Sequence, residues 1–151
     1  MHRNSLDMFS KACEHGIKAI IFIATQSIEG LRVKIGDVAE NTGSPEAYTA
    51  KILGLLTRHK IVNSLKGPNG GFEISDQRMK SIRISEIVYA IDGDQMLCGC
   101  ALGLSSCDEK APCLIHYQLS QIRDDLRTVL ENTTVHELAL QLIDGKTILN
   151  R

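Results

Sequence analysis

Residues 61–74 read Ile61-Val62-Asn63-Ser64-Leu65-Lys66-Gly67-Pro68-Asn69-Gly70-Gly71-Phe72-Glu73-Ile74. The first five read as a strand, and Phe72-Glu73-Ile74 alternates like its return. Between them, residues 66–71 form a turn cluster of glycine, proline and asparagine with one cation. Strand pairing alone needs only a two-residue turn, so this tip is longer than a plain hairpin requires. Bare glycine amides and a lysine suit close approach to phosphates, and a narrow minor groove attracts cations. Lys66, Gly67, Asn69 and Gly70 are therefore the candidate nucleic-acid contacts of the tip.

Upstream lie two short helices joined by a tight turn. Ile35, Val38 and Ala39 mark one apolar face of the first, and Gly43 supplies the turn. Ser44 is placed to cap the second helix, with Pro45 at its first position. Tyr48, Ile52, Leu55 and Leu56 follow as a core-facing stripe. The opposite side offers Glu46, Ala47, Thr49, Ala50, Lys51 and Gly54. In a helix-turn-helix the second helix enters the major groove and its first residues reach base edges. Ser44, Glu46, Ala47, Thr49 and Lys51 are the candidates there. A helix over 7–25 precedes this pair. Its apolar residues Ala12, Ile20, Ile23 and Ala24 recur at helical spacing, and Ile17 and Ile21 widen the stripe. The fold class expected is mainly α with a small β-hairpin wing: a winged helix-turn-helix followed by a long C-terminal dimerisation helix.

Bulk properties set the frame for this reading. The chain has 151 residues, 43% apolar and 23% charged, enough for a packed core and unlike a disordered segment. Its net charge of −1 hides an asymmetry. Residues 44–83 carry seven basic against three acidic groups, whereas residues 84–151 carry five against ten. A basic middle fits phosphate contacts. No apolar run approaches a membrane span and no signal-peptide pattern opens the chain, so a cytoplasmic location and no membrane partner are expected.

Cysteine use points the same way. Of Cys13, Cys98, Cys100, Cys107 and Cys113, four fall within sixteen residues. In a cytosolic chain such clustering indicates metal or redox chemistry rather than disulfides. Beyond them, Ile115, Leu119, Ile122, Leu126 and Leu130 recur at near-heptad spacing. A long one-sided helix is placed to pair with its twin in a homodimer, the alternative being packing against its own chain. A last short helix is read over 135–142. The layout is 1–91 as DNA-binding domain, 92–114 as cysteine-rich loop, and 115–151 as dimerisation and C-terminal helices. Catalytic residues are not expected. Cys113 with His116 lacks a third orienting group, and neither a phosphate-binding loop nor a dinucleotide fingerprint is present.

The order of helix, helix-turn-helix, Lys66-Gly67-Pro68-Asn69-Gly70-Gly71-Phe72 wing, cysteine loop and long helix resembles the Rrf-type regulator family. That family includes IscR, NsrR and CymR. The resemblance covers nearly the whole chain, and its most specific part is Tyr48 followed by the wing. Members usually carry arginine and tyrosine where Lys66 and Phe72 stand here. Lysine keeps the charge but loses the planar fork. The resemblance implies a homodimer, a palindromic double-stranded DNA operator and, in many members, an iron–sulfur cluster that controls DNA affinity. It implies a repressor that senses iron, redox state or nitric oxide. The cluster-binding pattern falls on Cys100, Cys107 and Cys113, with Cys98 as an extra thiol. A fourth ligand is implied at His116, or at Glu14 from the partner's first helix, with His15 adjacent to it. Two-iron and four-iron clusters both fit the cysteine count. A Cys₃His zinc site and a metal-free thiol switch remain open.

Overall fold

In the computed structural model, which describes residues 8–98 and 112–149, the chain builds outward from one central helix. This helix, α1 (Lys11–Ile28), is capped by Ser10, whose hydroxyl accepts from the Cys13 amide at 3.0 Å. It buries residues around much of its circumference, from Cys13 and His15 through Ile20, Ile23 and Thr25. That breadth follows from its neighbours, because helices pack on several sides of it.

α2 (Ile35–Thr42) ends at Gly43, whose φ of 68° is the left-handed turn expected there. α3 (Glu46–Arg58) follows. Two details of α3 differ from the sequence expectation. Pro45 is the cap residue, and the Ser44 hydroxyl is turned inward instead of capping the helix. The buried stripe is Thr49, Ile52, Leu53 and Leu56, with Leu55 only half-buried and Tyr48 36% exposed. The stripe is thus rotated by about one residue. The rotation puts Leu53, wholly buried, into the core, and leaves Tyr48 at its rim with its ring over His15.

The hairpin comprises β1 (Asn63–Leu65) and β2 (Gly71–Glu73), antiparallel, with Ser64 opposite Phe72 and Leu65 opposite Gly71. Ile61 and Val62, read as part of the strand, precede it as buried anchors. Val33 adds a third rung, exchanging both backbone hydrogen bonds with Phe72 at 3.0 and 2.8 Å. At the inner end of the tip, a side chain on Gly70 would collide with the Leu65 carbonyl oxygen. One on Gly71 (φ 137°) would come within 2.7 Å of the Val33 carbonyl oxygen. Both positions require glycine because backbone lies where Cβ would stand.

α4 (Asp76–Ser81) had no counterpart in the sequence reading. α5 (Ile84–Asp92) follows, with Ser85 buried inside it. α6 (Gln95–Cys98) is a single turn. α7 (His116–Asn132) is the long helix expected after the cysteines. α8 (Val135–Ile143) opens with a reciprocal cap: the Thr134 hydroxyl accepts from the Glu137 amide, and the Glu137 carboxylate accepts from the Thr134 amide. Backbone bonds from Ile84 to Thr133 and from Val135 to Ile82 fasten this corner. α8 then lies along α1 and buries Val135 and Ala139 in the core that α1, α3 and α5 share. Among the described residues, no helix is long and apolar enough to cross a membrane. The arrangement is a winged helix-turn-helix, closed by a C-terminal helix and carrying a long helix beside it.

Candidate nucleic-acid interface

The outer face of α3 carries Glu46, Ala47, Ala50, Lys51 and Gly54, all exposed. Small residues there let the helix backbone come close to a surface, and the charged ones flank them. Thr49 is the exception to the expected contact set. It is wholly buried, and its hydroxyl donates to the Pro45 carbonyl at 3.0 Å. A threonine can enter a core on these terms because its one proton is used within its own helix. Its placement removes it from the accessible face.

Ser44 is likewise committed. Its hydroxyl lies 2.7 Å from Nδ1 of His15, which is itself buried. The opposite ring nitrogen, Nε2, lies 3.1 Å from the Thr49 hydroxyl and 3.3 Å from that of Thr42. The Thr42 hydroxyl donates to the Val38 carbonyl at 2.8 Å. With both threonine protons directed to carbonyls, their oxygens accept. Nε2 therefore carries the proton, and Nδ1 accepts from Ser44. Burial, and after it the charge of Lys18, holds the imidazole below its ordinary value of 6.5. One neutral side chain thus joins α1 to the end of α2, the turn and α3. His15 has no nitrogen left for a metal without breaking this network.

On the wing, Lys66, Gly67 and Asn69 are exposed and Gly70 is buried. Two cations that the sequence reading did not single out stand behind the tip. Arg32 donates from Nε to Glu73 at 2.9 Å and from Nη1 to the Asn69 carbonyl at 3.2 Å. Lys34 donates to the Pro68 carbonyl at 3.1 Å. No local motif marks them, since their partners lie about 35 to 40 residues downstream.

Cys100 and Cys107 lie outside the described residues. Cys113 is a free, half-buried thiol just before α7, and its carbonyl accepts from the His116 amide at 3.2 Å. The His116 ring meets Tyr117 edge-on, centroids 5.2 Å apart. Glu14 is half-buried and pairs with Lys11 at 3.3 Å. Among the described residues, no three His, Cys, Asp or Glu side chains converge as a metal-binding group. Glu14, Cys113 and His116 of one chain therefore do not assemble a site together. Cys13 is wholly buried, and its thiol is pushed up to about 12 by burial and by the neighbouring Asp92 carboxylate.

A family model described as Rrf2, iron-dependent transcriptional regulator, matches residues 9–141. In sequence the chain is similar to the HTH-type transcriptional regulator IscR of Pectobacterium atrosepticum, 26% identical over 136 residues, 90% of this chain and 79% of that one. It is also similar to IscR of Escherichia coli, 27% identical over 124 residues, 82% and 75% of the two chains. In structure it resembles CymR, the global cysteine regulator of B. subtilis, with a TM-score of 0.70 at 20% identity, covering 93% and 98% of the two chains. The T. potens IscR structure also gives 0.70, at 16% identity, covering 92% and 90%. At these identities the structural likenesses establish the fold.

Proposed function

The chain belongs to the Rrf2 family of transcriptional regulators, and from that premise we propose that it is a DNA-binding repressor whose operator affinity is set by an iron–sulfur cluster. The observation that carries the DNA-binding part is the exposed face of α3 (Glu46, Ala47, Ala50, Lys51, Gly54) followed in the chain by an exposed glycine-bearing wing. The small residues suit major-groove entry, and Lys66, Gly67 and Asn69 suit the flanking backbone. The active species is a homodimer paired through α7. Ile122 and Val129, seven residues apart on that helix, are 61% and 59% exposed, a costly surface to leave in water. A twofold dimer matches a palindromic operator, with half-sites one or more helical turns apart.

The cluster would be held by Cys100, Cys107 and Cys113. The thiol of Cys113 is free and half-buried, as a ligand for soft metal requires, and thiolates are the usual holders of iron–sulfur groups. A fourth ligand is His116, one turn on, or Glu14 of the second subunit. Glu14 would have to come from across the dimer, because it does not converge with Cys113 and His116 of its own chain. When bound, such a group supplies chemistry sensitive to iron supply, redox state or nitric oxide. Residues 99–115 connect the DNA-binding core to α7, so gathering their sulfurs fixes how α7 leaves that core. Operator affinity then differs between loaded and unloaded chains to the extent that the two arrangements of this joint bind DNA differently.

The test is to purify the protein without oxygen and to record its visible absorption with iron, sulfide and zinc content. Its affinity for duplexes selected from a random pool is then measured before and after cluster removal. A brown protein with matched iron and sulfide, and an affinity that changes on removal, is the expected result. A colourless protein with zinc, or with no metal after reconstitution, overturns the cluster and leaves a zinc or thiol regulator.

A further inference from the structure

We propose that Arg32 and Lys34 are positioning residues for the wing: they hold the tip carbonyls and so set its shape before it meets DNA. The proposal rests on the DNA-binding reading given above and adds a brace to it. Val33 makes a single antiparallel bridge beside β2, lying in the core and exchanging both backbone bonds with Phe72, and Arg32 and Lys34 flank it. Around such an extended bridge, residues two apart share a face, so Arg32 and Lys34 both reach the tip carbonyls. Lys34 holds the Pro68 carbonyl and Arg32 holds the Asn69 carbonyl, while the Arg32 fork is fixed at its other edge by Glu73. Within the tip, the Gly70 amide donates to the Gly67 carbonyl at 2.9 Å, closing a turn around the braced Pro68 and Asn69.

This arrangement has two effects on a polyanion partner. A loop carrying glycines at 67, 70 and 71 is freed of much of its motion before contact, so less ordering remains to be done on binding. The Pro68 and Asn69 carbonyl oxygens are also committed to cations. A bare carbonyl dipole repels a phosphate, whereas one already bonded to a guanidinium or ammonium does not present that charge unopposed. Arginine at position 32 also bears on the lysine at 66. The planar fork that Lys66 lacks is present at Arg32, spent on shape instead of on DNA.

The experiment compares wild type with Arg32→Lys, Arg32→Met, Lys34→Met and Lys66→Ala. Amide hydrogen exchange is followed at Asn69 and Gly70 in the free protein. Affinity for a selected duplex is followed across a salt series, with thermal melting as the check on folding. Arg32→Lys keeps the charge but cannot reach Glu73 and Asn69 together. The brace predicts faster tip exchange in all three variants at positions 32 and 34. It also predicts a several-fold loss of affinity for Arg32→Lys close to that of Arg32→Met, and a salt slope unchanged in Arg32→Lys. Unchanged exchange, or wild-type affinity in Arg32→Lys with a slope lowered by about one in Arg32→Met, overturns it and makes Arg32 a direct phosphate contact. Lys66→Ala separates this failure from that of the parent reading. If it leaves affinity untouched the wing is not a DNA contact, and tip exchange, which needs no DNA, still decides the brace.

Discussion

Nδ1 of His15 accepts a hydrogen bond from Ser44 across 2.7 Å, so the first helix of the fold is bonded to the turn that sets the angle between α2 and α3. With Nε2 donating to Thr49 and Thr42, one buried ring touches all three parts of the helix-turn-helix. The orientation of α3 depends on a side chain that is almost wholly buried.

His15→Phe keeps an aromatic ring but removes both hydrogen-bonding edges. Loss of buried hydrogen bonds sets the expected cost at about 1–3 kcal/mol. Thr42 and Thr49 keep their carbonyl acceptors, which limits it. The measurement is urea unfolding of the metal-free protein. The same experiment repeated above and below pH 6.5 tests the protonation state. The folded ring stays neutral below the pH at which the unfolded ring takes up its proton. The unfolded state therefore binds more protons in that interval. The stabilisation is whole above pH 6.5 and fades as pH falls through it toward the folded value. His15→Phe should flatten this part of the profile; an unaltered profile would assign the proton uptake elsewhere.

Cys13 should resist alkylation. Its thiol is fully buried and raised to about 12, so almost no thiolate exists in mildly alkaline buffer. In metal-free native protein, iodoacetamide should label the half-buried Cys113 and leave Cys13 unmodified until denaturant is added. Peptide mass spectrometry reads the order directly, and equal labelling of the two would contradict the burial.

On the homodimer reading, Ile122→Asp should give a monomer with little change in the fold of one chain. The side chain is 61% exposed, so the substitution costs the isolated chain little, while a paired interface would have to bury a charge. Light scattering gives the mass. A dimer that persists would remove α7 as the pairing surface.

On the cluster reading, Cys107→Ala should abolish iron and sulfide while leaving helical content and melting behaviour of the metal-free protein unchanged. Retained iron would show that the sulfur ligands are assigned wrongly.

The helix-turn-helix and the wing were legible because their signals are local. Gly43 at the turn, the glycine-rich tip and the apolar periods each act within a few residues. The reading of α3 went astray where polarity misled. Threonine looks like a surface residue and tyrosine like a core one, yet Thr49 is buried because its proton is used at Pro45. α4 was missed because Met79 is its one buried residue; the Ser75 hydroxyl accepting from the Arg78 amide defines its start. The start of α5 is tied down from far away, the Ile84 amide donating to the Thr133 carbonyl 49 positions on. The residues behind the wing tip were silent because their partners are distant in the same way. Of the proposed metal site, the sequence carries the close spacing of four cysteines, while any contribution from a second chain leaves no mark in the order of residues.

α8 lies along α1, although more than a hundred residues separate them. During synthesis α1 emerges first, with the apolar flank that Val135 and Ala139 will cover still wet. The helix-turn-helix and wing follow long before that cover is made. Closure of the core must therefore wait until residue 143 has left the ribosomal tunnel. A nascent chain on this plan cannot complete its core until α8 has been translated. Fragments released early would present an open apolar seam to chaperones and proteases rather than a finished surface to DNA.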